Sequence, residues 1–135
     1  ARCVSKPETL SVVHKTGRLQ KIAEEAAKQS GRGKIPWVTA VSSFQNAVQS
    51  AAKTDLPLFL YESEKQNNLK DILNNTAGFK TVSIMTGPEG GFEPEEAAYA
   101  AENGMRSVSI GPRILRCETA PLAALAAVMY HTGNM

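Results

Sequence analysis

Residues 81–111 read TVSIMTGPEGGFEPEEAAYAAENGMRSVSIG. Residues 81–86 make the clearest strand in the chain, and Gly87 closes it. Residues 94–103 carry the punctuation of a helix: Pro94 at the first turn, Glu95 and Glu96 at its positive end, and Gly104 past its last turn. Residues 106–110 predict another strand, closed by Gly111. Strand, glycine-rich loop, helix and strand in that order are the βαβ signature of a parallel sheet.

The flanking sequence repeats the alternation. Residues 57–62 (Pro-Leu-Phe-Leu-Tyr-Glu) form a compact apolar run of strand length, followed by a helix around Leu69, Ile72 and Leu73 that Asn74 and Asn75 end. Upstream, residues 18–30 place Leu19, Ile22, Ala23, Ala26 and Ala27 on one helical stripe, with Gly31 as the stop. Residues 35–40 read as a strand, although Pro36 lies inside it. Ser42 or Ser43 can cap a helix whose stripe is Phe44, Ala47, Val48, Ala51 and Ala52. A last helix is predicted from Thr119 as N-cap to about His131 and is apolar all round over residues 120–129. Such a helix is buried on every side, inside the fold or in a subunit interface, and favours a homodimer. The fold class is α/β, in one domain over residues 1–135.

Composition bounds the function. Hydrophobic residues are 42% and charged residues 21%, which fits a folded globular chain and argues against disorder. The longest apolar run is too short to span a bilayer, and no signal peptide opens the sequence, so a cytoplasmic protein without membrane partners is expected. Fifteen Lys and Arg against thirteen Asp and Glu give a net charge of +2, which neither suggests nor excludes RNA. Cys3 and Cys117 lie far apart with no partner at ligand spacing, so neither a metal site nor a disulfide framework is expected. His14 and His131 stand alone, and Trp37 and Phe92 read more readily as core packing than as base-stacking groups.

In open parallel sheets ligands sit at the carboxyl ends of the strands, and three loops qualify. The first follows Tyr61 and Glu62. The second is Thr86-Gly87-Pro88-Glu89-Gly90-Gly91-Phe92, whose glycines let backbone amides approach a ligand; it is neither a Walker A loop nor Gly-x-Gly-x-x-Gly. It reads equally as a tight strand-to-helix turn. The third, residues 111–119, sets Arg113 and Arg116 around Ile114 and Leu115, with Glu118 and Thr119 at the mouth of the last helix. Two guanidiniums and a carboxylate can close into an ion-pair lock or bind an anionic or planar substrate.

Taken together, Thr86-Gly-Pro-Glu-Gly-Gly-Phe92 and Ile110-Gly-Pro-Arg-Ile-Leu-Arg-Cys-Glu-Thr-Ala120 resemble the signature motifs of the RsmE family. Residues 24–36 resemble that family's helix-to-strand junction. Ala1-Arg-Cys-Val-Ser-Lys6 resembles its Ser-Glu-Arg-Ser/Cys stretch, with Ala1 where Glu is usual. Members are SPOUT-superfamily methyltransferases that methylate N3 of a uridine in small-subunit ribosomal RNA. The resemblance implies a SPOUT-type trefoil knot, S-adenosylmethionine as cofactor, a homodimer with its site near the interface, and no metal. It covers the whole chain but not the family's N-terminal PUA-like barrel or first βαβ unit. Glu93 stands where the family often has Ser or Thr as helix cap, a local cost of at most about 1 kcal/mol.

The resemblance also implies site residues. Cofactor contacts would come from Tyr61, Glu62, Thr86, Gly87, Pro88, Glu89, Gly90, Gly91, Ile110, Gly111, Ile114, Leu115, Arg116 and Thr119, with adenine against residues 110–115 and the 87–91 loop closing round the ligand. The protein must align uracil N3 with the methyl group and help to remove the N3 proton. Arg113 or Arg116 would stabilise charge on the uracil oxygens, and arginine is a poor base. Glu118 is then the better base, or the orienter of an arginine. Arg2, Lys6 and Arg32 are candidate RNA contacts, with a solvated surface as the plain alternative. Competing readings are ribose 2′-O-methylation by another SPOUT enzyme and a non-catalytic RNA- or nucleotide-binding module.

Overall fold

The structure is a computed structural model and describes residues 9–135, with side chains from residue 15 onward. Arg2, Lys6 and Cys3, and the side chain of His14, lie outside the described residues. The chain divides into two compact units, residues 1–47 and 48–135.

In the first unit α1 (Thr9–Gln29) is longer than its apolar stripe predicts, because the helix runs through Gly17. Gly31, at φ +66°, ends the segment as expected. The predicted strand at 35–40 does not form. Pro36 has no N–H to give a ladder, and the neighbouring backbone is held by a side chain instead. Gln20 Nε2 donates to the Pro36 carbonyl (3.2 Å) and Gln20 Oε1 accepts from the Val38 N–H (2.8 Å). Trp37, read from sequence as a core residue, is 83% exposed. α2 (Phe44–Ala51), which spans the boundary between the two units, begins where Ser43 Oγ accepts the Asn46 N–H at 3.2 Å, which selects Ser43 over Ser42 as the cap.

The second unit contains a parallel three-stranded sheet in the order β2-β1-β3, built from β1 (Leu56–Leu60), β2 (Val82–Met85) and β3 (Arg106–Val108). β1 pairs Leu56 with Val82 on one side and Leu58 with Arg106 on the other. As the central strand it is buried on both faces, which explains its unbroken apolar sequence. Leu56 and Leu58 join Val108, Leu69 and Leu73 of α3 (Leu69–Asn75), and Ala124 and Val128 of α5 (Thr119–His131), in the main core. Phe59, one residue out of phase, stacks on Phe92 with ring centroids 4.2 Å apart.

The start of the sheet is fastened by Asp55, whose Oδ2 accepts the N–H groups of Lys80 (2.8 Å) and Thr81 (3.0 Å). Thr81 Oγ1 returns the contact by accepting the Asp55 N–H at 3.0 Å. α4 (Pro94–Glu102) is one residue shorter than expected, and Glu93 serves as its cap residue because its N–H donates to the Glu96 carboxylate (2.9 Å). At α5, Thr119 is the first helical residue and not the cap. The cap residue, Glu118, already has helical φ/ψ, and the Arg116 carbonyl accepts the N–H groups of Thr119 and Ala120 at 2.9 Å each. Nor do the described residues of the second unit cover α5 on every side. Ala124 and Val128 are buried, but Leu122 (69%) and Leu125 (48%) remain exposed. Among the described residues no helix is long and apolar enough to cross a membrane.

Candidate functional site

The parallel order β2-β1-β3 brings the carboxyl ends of all three strands to one edge of the sheet, where parallel α/β folds bind their ligands. A cleft of about 1030 Å³ lies there, walled by all three loops anticipated from the sequence. The volume is that of a cofactor-sized site.

The first wall continues β1. Beyond Tyr61, whose N–H still donates to the Val108 carbonyl (3.2 Å), the chain turns through residues 62–68. Glu64 organises that turn: Oε1 accepts from the N–H groups of Gln66 (2.8 Å) and Asn67 (3.1 Å). The Gln66 bond is the largest cause holding the carboxyl below its usual range. The end of the turn is strapped to the exit of β3, because Ser109 N–H donates to Asn67 O (2.8 Å) and Leu69 N–H to Ser109 O (2.9 Å). Asn68 then caps α3 by accepting the Lys70 N–H at 2.9 Å.

The second wall is the glycine-rich loop. Gly91 N–H donates to the Pro88 carbonyl (2.9 Å), closing a four-residue turn with Gly91 at φ +72°. Glycine takes this φ without strain, whereas a side chain there would be strained and its Cβ would also displace the Glu62 carboxylate. A Cβ on Gly87 would lie 3.2 Å from both the Gly91 carbonyl carbon and the Phe92 ring. The first two walls therefore meet at Glu62 and Gly91.

The third wall runs from Ser109 to Ala120. Ser109 Oγ accepts the Gly111 N–H (3.2 Å) and donates to the Gly111 carbonyl (3.0 Å), which tightens the exit from β3. Arg113, Ile114 and Arg116 are exposed along it, Ile114 at 78%. Of the two readings of this loop, the ion-pair lock does not form at the Glu118 carboxylate, which accepts from the Cys117 thiol (3.1 Å). That hydrogen bond is the first cause holding Glu118 below the usual carboxylate range. The same bond, with partial burial and the charges of Glu118 and Glu89, raises the Cys117 pKa and keeps the thiol protonated.

Of the residues expected at the site, Tyr61, Glu62, Thr86, Gly87, Pro88, Glu89, Gly91, Ile110, Gly111, Arg113, Ile114, Leu115, Arg116 and Glu118 line the cleft. Gly90 and Thr119 do not: Gly90 is at the exposed turn and Thr119 opens α5. Arg32 is exposed in the first unit. Sequence reasoning missed Glu64, Asn67, Asn68 and Ser109, and it preferred core packing for Phe92, which both stacks on Phe59 and lines the cleft. The available signal was the unbroken polar run at residues 63–68 directly after a buried strand. Among the described residues no group of three His, Cys, Asp or Glu side chains could hold a metal ion.

Fold and cleft together define a parallel α/β protein with a ligand-sized cleft at the carboxyl ends of its strands. The profile of the RNA methyltransferase domain matches residues 1–129, and the chain belongs to that family. It is 39% identical to the ribosomal RNA small subunit methyltransferase E of Bacillus subtilis over 98% of its own length and 53% of that protein. Among solved structures, methyltransferase E from Neisseria gonorrhoeae, bound to S-adenosyl methionine, superposes with a TM-score of 0.79 at 30% identity, over 95% of this chain and 52% of that one. A Legionella pneumophila protein in complex with SAM superposes with a TM-score of 0.81 at 29% identity, over 96% and 51%. The chain thus spans about half the length of the relatives it matches.

Proposed function

We propose that this chain is the catalytic part of an S-adenosylmethionine-dependent methyltransferase acting in the cytoplasm on N3 of a uridine in small-subunit ribosomal RNA. The observation that carries the reading is the meeting of three loops at the strand ends in a cofactor-sized cleft, in a chain of this family. The residues present suit the cofactor. At the Glu62–Gly91 approach a carboxylate lies against the glycine backbone, and Glu62 and Glu89 offer negative charge to a sulfonium. Bound there, S-adenosylmethionine would supply an already activated methyl group, so no metal is required. Ile110, Gly111, Ile114 and Leu115 offer an apolar strip for adenine, and the 87–91 loop closes the opposite side.

Arg113 and Arg116, exposed on the same wall, are suited to hold the uracil oxygens and to stabilise charge that develops on them. Glu118 is ionised at neutral pH, and its lowered pKa makes it a weak base, which favours an orienting role toward an arginine over proton abstraction. The partly exposed apolar face of α5 supports the homodimer, and the knotted path of the family's loops belongs to the same reading. Calorimetric titration of this chain with S-adenosylmethionine should give saturable binding at one site per chain. Absence of saturable heat would remove the cofactor from the cleft. Mapping the methyl group on modified RNA separates N3 from ribose 2′-O transfer.

A further inference from the structure

Outside the cleft, the most unusual surface in the first unit surrounds Trp37. Its indole is 83% exposed, and Ile35 beside it is 52% exposed. A single exposed apolar side chain needs no explanation, but this one is built in. The two bonds to Gln20 fix the backbone on both sides of Trp37, one at the Pro36 carbonyl and one at the Val38 N–H. Pro36 removes a further degree of freedom just before it. The ring is thus carried on a pre-ordered segment, so little conformational entropy remains to be lost when a ligand covers it.

Along the segment itself the charge is of one sign. Arg32 and Lys34 are exposed on the same segment, and no Asp or Glu occurs from residue 30 to residue 40. The net charge of the whole chain is only +2, so this local excess is a feature of the segment. An exposed aromatic face on a segment that carries two cations and no carboxylate of its own matches an unpaired base with phosphates on either side. Stacking on such a face is tolerant of base identity, and the flanking charges follow the backbone.

We infer that the Trp37 segment is a stacking platform for a base of single-stranded RNA, with Arg32 and Lys34 taking the neighbouring phosphates. This rests on the reading of the substrate as RNA and adds a contact for a nucleotide. Trp37 is the chain's one tryptophan, so its emission reports on this surface alone.

The test titrates the chain with a dye-labelled oligouridine and follows tryptophan emission and RNA anisotropy together. Emission should quench in step with the anisotropy. Trp37→Ala should weaken binding about tenfold or more, while Trp37→Phe, which keeps a ring, should restore most of the affinity. Arg32→Gln and Lys34→Gln should each lower the salt slope by about one. Binding of S-adenosylmethionine by the Ala variant checks that it is folded. RNA binding with unchanged emission and unchanged affinity in Trp37→Ala would overturn the platform and leave the RNA reading standing. No anisotropy change, with cofactor binding intact, would overturn both. A shift in emission with protein concentration before RNA is added would show a second copy covering the ring and would also overturn the platform.

Discussion

Gly91 meets two constraints that any side chain would meet only at a cost. Its φ of +72° disfavours any side chain by about 1–2 kcal/mol, and its Cα faces the Glu62 carboxylate where a Cβ would stand. Gly91→Ala should therefore push the 88–91 turn away from the loop after β1 and weaken S-adenosylmethionine binding at least about tenfold, since each 1.4 kcal/mol is a factor of ten. Calorimetry of the variant checks this, and an unchanged affinity would detach the glycine loop from the site. The need for glycine was legible in the sequence, where Gly-Gly stands between strand and helix. The identity of the residue that presses on it was not, because Glu62 approaches only when β1 and β2 lie side by side.

Among the elements, the β1–β2 pair shows how polar groups set a register that apolar pattern leaves open. The runs at 57–62 and 81–86 were readable as strands, but their pairing was not. Asp55 decides it by taking the N–H groups of Lys80 and Thr81 just ahead of the first paired residues, Leu56 and Val82. These bonds, the Lys80 N–H first, lower the Asp55 pKa below its ordinary 3.8. A carboxyl whose folded pKa is depressed stabilises the fold above the unfolded value, and the contribution is lost as pH falls through the folded value. Asp55→Asn should lower the urea midpoint at neutral pH. The gap between variant and parent should narrow as pH drops below 3.8, and a gap that does not change with pH would show that the charge is irrelevant.

For the molecule as a whole, the open question is what covers α5. Ala124 and Val128 bury one stripe of it against the sheet core, while Leu122, Leu125 and Tyr130 face outward. If that face joins two copies, Leu125→Asp should convert a dimer to a monomer in sedimentation analysis while leaving the helical signal in circular dichroism intact. A dimer that persists would place the interface elsewhere. Much of this protein could be read along the chain. Apolar period, glycine stops and capping residues are local properties, so they marked the strand–helix alternation, the parallel sheet and the three loops at its ends. Tertiary structure decided everything that depends on distant residues meeting. Phe92 found Phe59, and the Pro36 carbonyl and the Val38 N–H bonded to the Gln20 side chain while Trp37 stayed in water. A partner's position in space is set by how the elements pack, and periodicity carries no information about it.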